Sequence, residues 1–302
     1  MIKIALSPSS PKEFEEAIAS QGAEIAPLGP TVNGLIWTDY SQPGLLAQTI
    51  SENPQLTWVQ LPFAGVDAFS GVLEASVTFT SAKGAYREPV AEHALALCLA
   101  LARAIPTRVR AKSWGKKFAV SLYDSKILII GAGGITAELL RLLAPFQPHT
   151  TVIRRDSAKM AGASQTLSLD QLDSQLPDAD FVVIAAALTD ETRGLFNARR
   201  LGLMKQSAYL VNVARGAHIV TDDLLESLRK NLIAGAAIDV TDPEPLPDSH
   251  PLWQEPNCLI TPHTADTNEQ VTRLFAQRIS ENVAAFLGKG PWVGLVDPAK
   301  GY

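Results

Sequence analysis

The strongest constraint on the fold of this chain is a rhythm. Short apolar runs rich in β-branched residues alternate with amphipathic helical patterns almost from end to end. "IKIALS" (2–7), "GLIWTDY" (34–40), "LTWVQLP" (56–62) and "VTFTSA" (77–82) read as strands. "KILIIG", "TTVIR", "DFVVIAAA", "AYLVNVA", "AGAAIDV" and "CLITPH" then follow at fairly even intervals. The pieces between carry helix signals: serine before Pro11 with acids in the first turn, a capping box at Ser168 and Gln171, and "TDDLLESLRKN" running from hydroxyl and acids to bases. Strands that are apolar on both faces must be covered on both faces. An α/β protein built on doubly wound parallel sheets is therefore expected.

A chain of 302 residues has room for about two such domains. The stretch 89–114 reads as one long helix up to about Ala104, feeding the second unit. "DTNEQVTRLFAQRISENVAAFLGKG" is a capped amphipathic helix that follows the last strand of that unit. It is expected to pack back on the first domain. That makes the first domain discontinuous, 1–95 with 270–302, around a dinucleotide domain at 96–269, with a cleft and two crossing segments as a hinge.

Composition excludes several functions. A net charge of −5 argues against nucleic-acid or anionic-membrane partners. The longest apolar run, "ALALCLALA" (94–102), is about half of what spans a bilayer, and "MIKIALSPSS" has no signal-peptide pattern. Cys98 and Cys258 both sit in apolar runs, as buried thiols in a reducing compartment do, so a cytoplasmic protein without a metal site is expected.

"ILIIGAGGITAELL" is a strand, a glycine turn and a helix start. Gly131 permits a tight turn, and Gly133 lets backbone approach a phosphate. Gly134 and Ile135 open a helix whose free N–H groups face the anion. The third glycine of the usual G-x-G-x-x-G spacing is Thr136, whose hydroxyl could cap the helix. Three later strand ends deliver chemistry to the same sheet edge: Arg215 after "LVNVA", Asp239 with Glu244 five residues on, and His263 in "LITPH". Each alone has a duller explanation, as a solvated or capping group. Together, on a nucleotide edge, they make a reactive set.

These stretches resemble the D-isomer-specific 2-hydroxyacid dehydrogenases over nearly the whole chain. "LTWVQLPFAGVDAF" is similar to the family's substrate loop and "EPVAEHALALCLAL" to its interdomain helix. "ILIIGAGGI", "LTDETRGLFN", "LVNVARGAHIVTDDLLESL", "GAAIDVTDPEPLPDSHPLW" and "LITPHTADTNE" match its nucleotide-domain signatures in order. Thr136, Ala187 and Asp242 depart from the usual pattern. The resemblance implies a Rossmann-type dinucleotide domain and a flavodoxin-like substrate domain, with Arg215, Glu244 and His263 as the catalytic set. It implies Val213 and Asp239 beside the cofactor, the latter at the nicotinamide end, and a homodimer through the nucleotide domains, for which the apolar helix at 94–102 is a further argument. Backbone N–H groups around Ala64 and Gly65 would join Arg215 on the carboxylate of a 2-oxo or 2-hydroxy acid.

The chemistry fits those roles. Reducing a 2-oxo acid needs a hydride at carbon, a proton at oxygen and a grip on the carboxylate. Arg215 offers a planar fork, His263 a proton near neutral pH, and Glu244 a partner that orients and charges the imidazole. In an NAD site an acid ends the second strand, roughly 20 residues past the glycines. Here "TTVIRRDS" puts Arg154 and Arg155 at that point, with Asp156 too late to replace the acid, so NADPH is expected over NADH. A small acid such as glyoxylate or hydroxypyruvate is the expected substrate. A bulkier or phosphorylated 2-oxo acid, or a dinucleotide-binding corepressor role, are the alternatives.

Overall fold

A computed structural model describes residues 2–73, 76–155 and 158–297. The chain divides into two compact units, Met1–Tyr86 with Thr267–Tyr302, and Arg87–Asp266. The divisions fall after Tyr86 and Asp266 rather than at 95/96 and 269/270. The reason is that a helix belongs whole to the layer it covers. The helix Arg87–Ala102 buries Ala91, Ala94, Leu97, Cys98 and Leu101 in the core of the second unit, so the chain changes unit before it begins.

In the first unit five strands form a parallel sheet: β1 (Lys3–Ser7), β2 (Glu24–Ile25), β3 (Gly34–Trp37), β4 (Trp58–Gln60) and β5 (Thr78–Thr80), in the order β2-β1-β3-β4-β5. Helices α1 (Lys12–Ser20) and α2 (Pro43–Glu52) connect them. Trp37, Trp58, Phe69 and Phe79 are fully buried here.

The second unit contains α3 (Arg87–Ala102) and α4 (Ile105–Arg110), then β6 (Lys126–Ile130), α5 (Gly134–Leu143), β7 (His149–Arg154) and β8 (Gln165–Ser168). It continues through α6 (Leu172–Gln175), β9 (Phe181–Ile184), α7 (Ala198–Leu201), β10 (Tyr209–Asn212), α8 (Thr221–Arg229), β11 (Gly235–Ile238) and β12 (Cys258–Ile260). Its seven strands are parallel in the order β12-β11-β10-β9-β6-β7-β8. The chain winds outward from β6 to β8 and returns to β9 on β6's other side. Such a reversal opens a crevice at the strands' carboxyl ends.

The last helix, α9 (Asn268–Phe286), returns to the first unit. A capping box of Thr267 and Gln270 starts it, and Phe275 meets Phe14 of α1 edge-on at 5.1 Å between ring centres. Every strand read from the sequence is present. Two edge strands, β2 and β8, were not foreseen.

Candidate active site

The crevice begins at Gly131. This residue has φ +106°, and a Cβ on it would lie 2.5 Å from the carbonyl oxygen of Ala185, just past β9. Only glycine allows that turn. Gly133 precedes the first turn of α5, where an added Cβ would meet open space. Gly134 is the first residue of α5, and Ile135 packs against the core beneath it. The loop thus leaves backbone N–H groups bare at a helix N-terminus, the arrangement that suits a pyrophosphate. Thr136 does not cap the helix. It is fully buried, and its hydroxyl donates back to the Gly131 carbonyl at 2.8 Å, because the turn folds that oxygen over the side chain.

Arg154 is the last residue of β7, and Gly131 N–H donates to Ile153 O at 2.7 Å, so the arginine sits beside the glycine turn. Its Nη1 donates to Ala158 O at 3.1 Å, and Arg155 follows in solvent. Asp156 lies outside the described residues. Val213 is 6% exposed with its side chain in the core, because it follows the interior strand β10; only its backbone can face a ligand.

Arg215 follows β10 in extended backbone. Fully buried Asn212 holds this corner: its Nδ2 donates to Arg215 O at 2.8 Å and its Oδ1 accepts from Ala214 N at 3.0 Å. The ring of His218, also fully buried, meets Arg215 O at 3.0 Å through Nδ1 and Ala187 O at 3.3 Å through Nε2. A Cβ on Gly216 would fall 1.9 Å from the Thr241 carbonyl carbon, which is how closely this corner meets the loop bearing Glu244.

His263 has φ +52°, a left-handed conformation uncommon outside glycine. Its N–H is held by two carbonyls, Asp239 O at 2.7 Å and Thr261 O at 3.0 Å. Its Nδ1 donates to Glu244 Oε1 at 2.5 Å, and Glu244 Oε2 accepts from Thr241 N at 3.3 Å. The bond to Glu244 raises the imidazole's pKa above its ordinary value, outweighing burial and the repulsion of Arg215. Burial works to raise the Glu244 carboxyl, yet the bond to His263, aided by the positive charge of Arg215, holds it below the usual range. Nε2 is the ring nitrogen that Glu244 does not engage.

Beneath this pair lies Asp239, 2% exposed. Its Oδ1 accepts from Thr261 Oγ1 at 2.6 Å and Thr264 N at 3.0 Å, and lies 3.3 Å from Nε2 of His93. The same Nε2 is 3.0 Å from Thr261 Oγ1. Burial opposes the charge on Asp239, but these donors keep its pKa lowered. One carboxylate oxygen therefore braces the chain on both sides of His263. Sequence reading named Asp239 but missed His93, Thr261, Asn212 and His218. Their only signal is polarity inside apolar runs: the partners of His93 are distant in sequence, and Asn212 and His218 bond to main-chain atoms.

No helix among the described residues is long and apolar enough to cross a membrane, and no cluster of three or more His, Cys, Asp or Glu among them is placed to hold a metal.

Comparisons with known proteins converge on one family. Residues 95–265 match the D-isomer specific 2-hydroxyacid dehydrogenase, NAD binding domain. The chain is 31% identical over 261 residues to glyoxylate reductase of Aeropyrum pernix, covering 80% of this chain and 77% of that protein. Among solved structures, a D-isomer specific 2-hydroxyacid dehydrogenase of Xanthobacter autotrophicus Py2, in complex with NADPH and MES, superposes with a TM-score of 0.86 at 28% identity over 99% of each chain. An NADPH-dependent glyoxylate/hydroxypyruvate reductase of Sinorhizobium meliloti, in complex with NADP and sulfate, gives 0.85 at 25% identity over 100% of each.

Proposed function

Because the chain belongs to the D-isomer-specific 2-hydroxyacid dehydrogenases, NAD(P)-dependent oxidoreductases, we propose that it reduces a small 2-oxo acid of the glyoxylate or hydroxypyruvate type to a D-2-hydroxy acid, using NADPH. When bound, the nicotinamide supplies the hydride. The protein's own groups do the rest. Arg215 pairs with the substrate carboxylate and polarises the neighbouring carbonyl. His263 gives a proton from Nε2 to the carbonyl oxygen, while Glu244 stabilises the imidazolium and fixes the ring. Backbone N–H groups of Ala64 and Gly65 share the carboxylate. Gly133, Gly134 and Ile135 take the pyrophosphate. Backbone of Val213 and the side chain of Asp239 attend the nicotinamide.

The observation that carries the NADPH reading is Arg154 at the end of β7, beside the Gly131 turn, with Arg155 next. An arginine offers no acceptor to ribose hydroxyls but pairs with a 2′-phosphate. Measuring kcat/KM with NADPH and NADH, using glyoxylate and hydroxypyruvate, tests it. Arg154→Asp should shift preference toward NADH, and a wild-type preference for NADH would overturn the reading. No turnover of either acid, with dinucleotide still bound, would favour a binding regulator.

We also propose a homodimer, but not on the strength of α3, whose apolar residues are used within its own unit. Its support is the stretch after α3, where Ile105, Val109, Trp114, Phe118 and Tyr123 are all exposed, Trp114 by 92%. So much apolar surface in one stretch suits a second copy. A 32.4 kDa particle in sedimentation at micromolar concentration would contradict this.

A further inference from the structure

Two side chains one turn apart on α9, Arg278 and Asn282, reach the two flanks of the loop that carries Ala64 and Gly65. Asn282 is fully buried and donates from Nδ2 to Gln60 Oε1 at 2.6 Å, at the end of β4. Gln60 in turn donates from Nε2 to Leu61 O at 2.8 Å, where the loop begins. Thr80 Oγ1 also donates to Gln60 Oε1, at 2.8 Å, and accepts from Trp58 Nε1 at 2.9 Å.

Arg278 works on the other flank. It is 6% exposed, and its Nη1 donates to Ser81 O at 2.8 Å and Lys83 O at 2.9 Å. Its Nε donates to Glu281 Oε2 at 3.0 Å. The backbone it grips, residues 81–86, grips the loop: Ala82 N donates to Phe63 O at 2.8 Å, and the Tyr86 hydroxyl donates to Pro62 O at 2.9 Å. Gly294 completes the seat, since a Cβ there would stand 2.3 Å from Ser81 O and 2.9 Å from Arg278 Nη1. Burying a guanidinium is costly unless its donors are met, and Arg278 meets them with two main-chain carbonyls and a carboxylate. Those two main-chain bonds tie the backbone on either side of Ala82 to α9.

We propose that Arg278, backed by Asn282, is a positioning residue for the substrate carboxylate. It fixes residues 81–86, and through Ala82 and Tyr86 the loop at Pro62 and Phe63, so that the N–H groups of Ala64 and Gly65 are aimed before substrate arrives. This rests on the reading that those N–H groups bind the carboxylate. Preorganised donors cost no reordering on binding, so loosening them weakens substrate binding more than the proton transfer at His263.

Steady-state kinetics with glyoxylate or hydroxypyruvate, whichever wild type reduces, tests the proposal alongside NADPH affinity from fluorescence. Arg278→Met should raise KM roughly tenfold, with kcat and NADPH affinity near wild type. Arg278→Lys, which keeps a donor for the carbonyls, should recover part of the loss. Tyr86→Phe, which removes one hydroxyl, should raise KM several-fold and decides the matter if Arg278→Met does not fold. Gly65→Pro, which deletes a loop N–H, tests the carboxylate reading itself. Unchanged KM in Arg278→Met and Tyr86→Phe, with KM raised in Gly65→Pro, overturns the positioning role alone. Equal losses of kcat, KM and NADPH affinity in Arg278→Met also overturn it. Unchanged KM in Gly65→Pro overturns the carboxylate reading.

Discussion

His263 Nδ1 stands 2.5 Å from Glu244 Oε1, and the other oxygen of that carboxylate accepts from Thr241 N at 3.3 Å. The carboxylate is thus held at both oxygens, and the imidazole's remaining nitrogen has one direction to face. His263→Gln keeps much of the shape and loses the transferable proton. It should bind NADPH as wild type does while the reductive rate falls about 10²–10⁴-fold. Fluorescence titration beside steady-state rates checks both halves; a rate within a fewfold of wild type would remove His263 from the chemistry.

Glu244→Gln takes away the charge that raises the imidazole pKa. Reduction needs the protonated ring, so the rate declines as pH rises through that pKa. The basic limb of the kcat/KM profile should therefore move to lower pH in the variant. Stability follows the same linkage. The raised His263 stabilises below its unfolded value and loses that contribution as pH climbs through the folded value. The lowered Glu244 stabilises above its unfolded value and loses it as pH falls through the folded one. The Tm gap between wild type and Glu244→Gln should be widest between about pH 4.3 and 6.5, the ordinary values of the two groups. A pH-independent gap would show that the pair is not coupled.

Arg215→Lys keeps a charge but not the two-pronged geometry. KM for the 2-oxo acid should rise and kcat should fall, because both grip and carbonyl polarisation depend on the planar fork. Kinetics unchanged in both constants would assign the carboxylate to other groups.

Gly216→Ala drives a methyl into the backbone of Thr241 and Asp242, whose nearest atoms lie 1.9–2.5 Å from the ideal Cβ. Neither segment is a flexible side chain that could swing aside. We expect a Tm lower by several degrees and a basic limb of the kcat/KM profile moved to lower pH as in Glu244→Gln, since the displaced loop carries Glu244. Calorimetry on a variant melting with wild type would refute the close approach.

Three of the site residues read from sequence share one property: each stands just past a strand whose apolar run is unmistakable. Arg215, Asp239 and His263 follow β10, β11 and β12, so pattern alone places them on one edge. His93 lacks that marker. It follows Glu92 near the polar start of α3, and its partners Thr261 and Asp239 lie just past strands far along the chain. Asn212 and His218 serve main-chain carbonyls, which leave no trace in side-chain identity. The strands β2 and β8 escaped for a related reason. At a sheet edge, "EI" and "QTLS" keep much of their surface in water, so nothing selects an apolar run there.

Thr136 gives the glycine turn a dependence that a glycine at the same position could not supply. Its hydroxyl reaches back to the Gly131 carbonyl, so the bend is latched by a side chain five residues downstream and the loop is a closed ring of interactions. A loop with glycine at position 136 would arrive here without its latch, because only the threonine hydroxyl reaches the Gly131 carbonyl. Residues 131–136 therefore act as a single part, to be changed together or left alone.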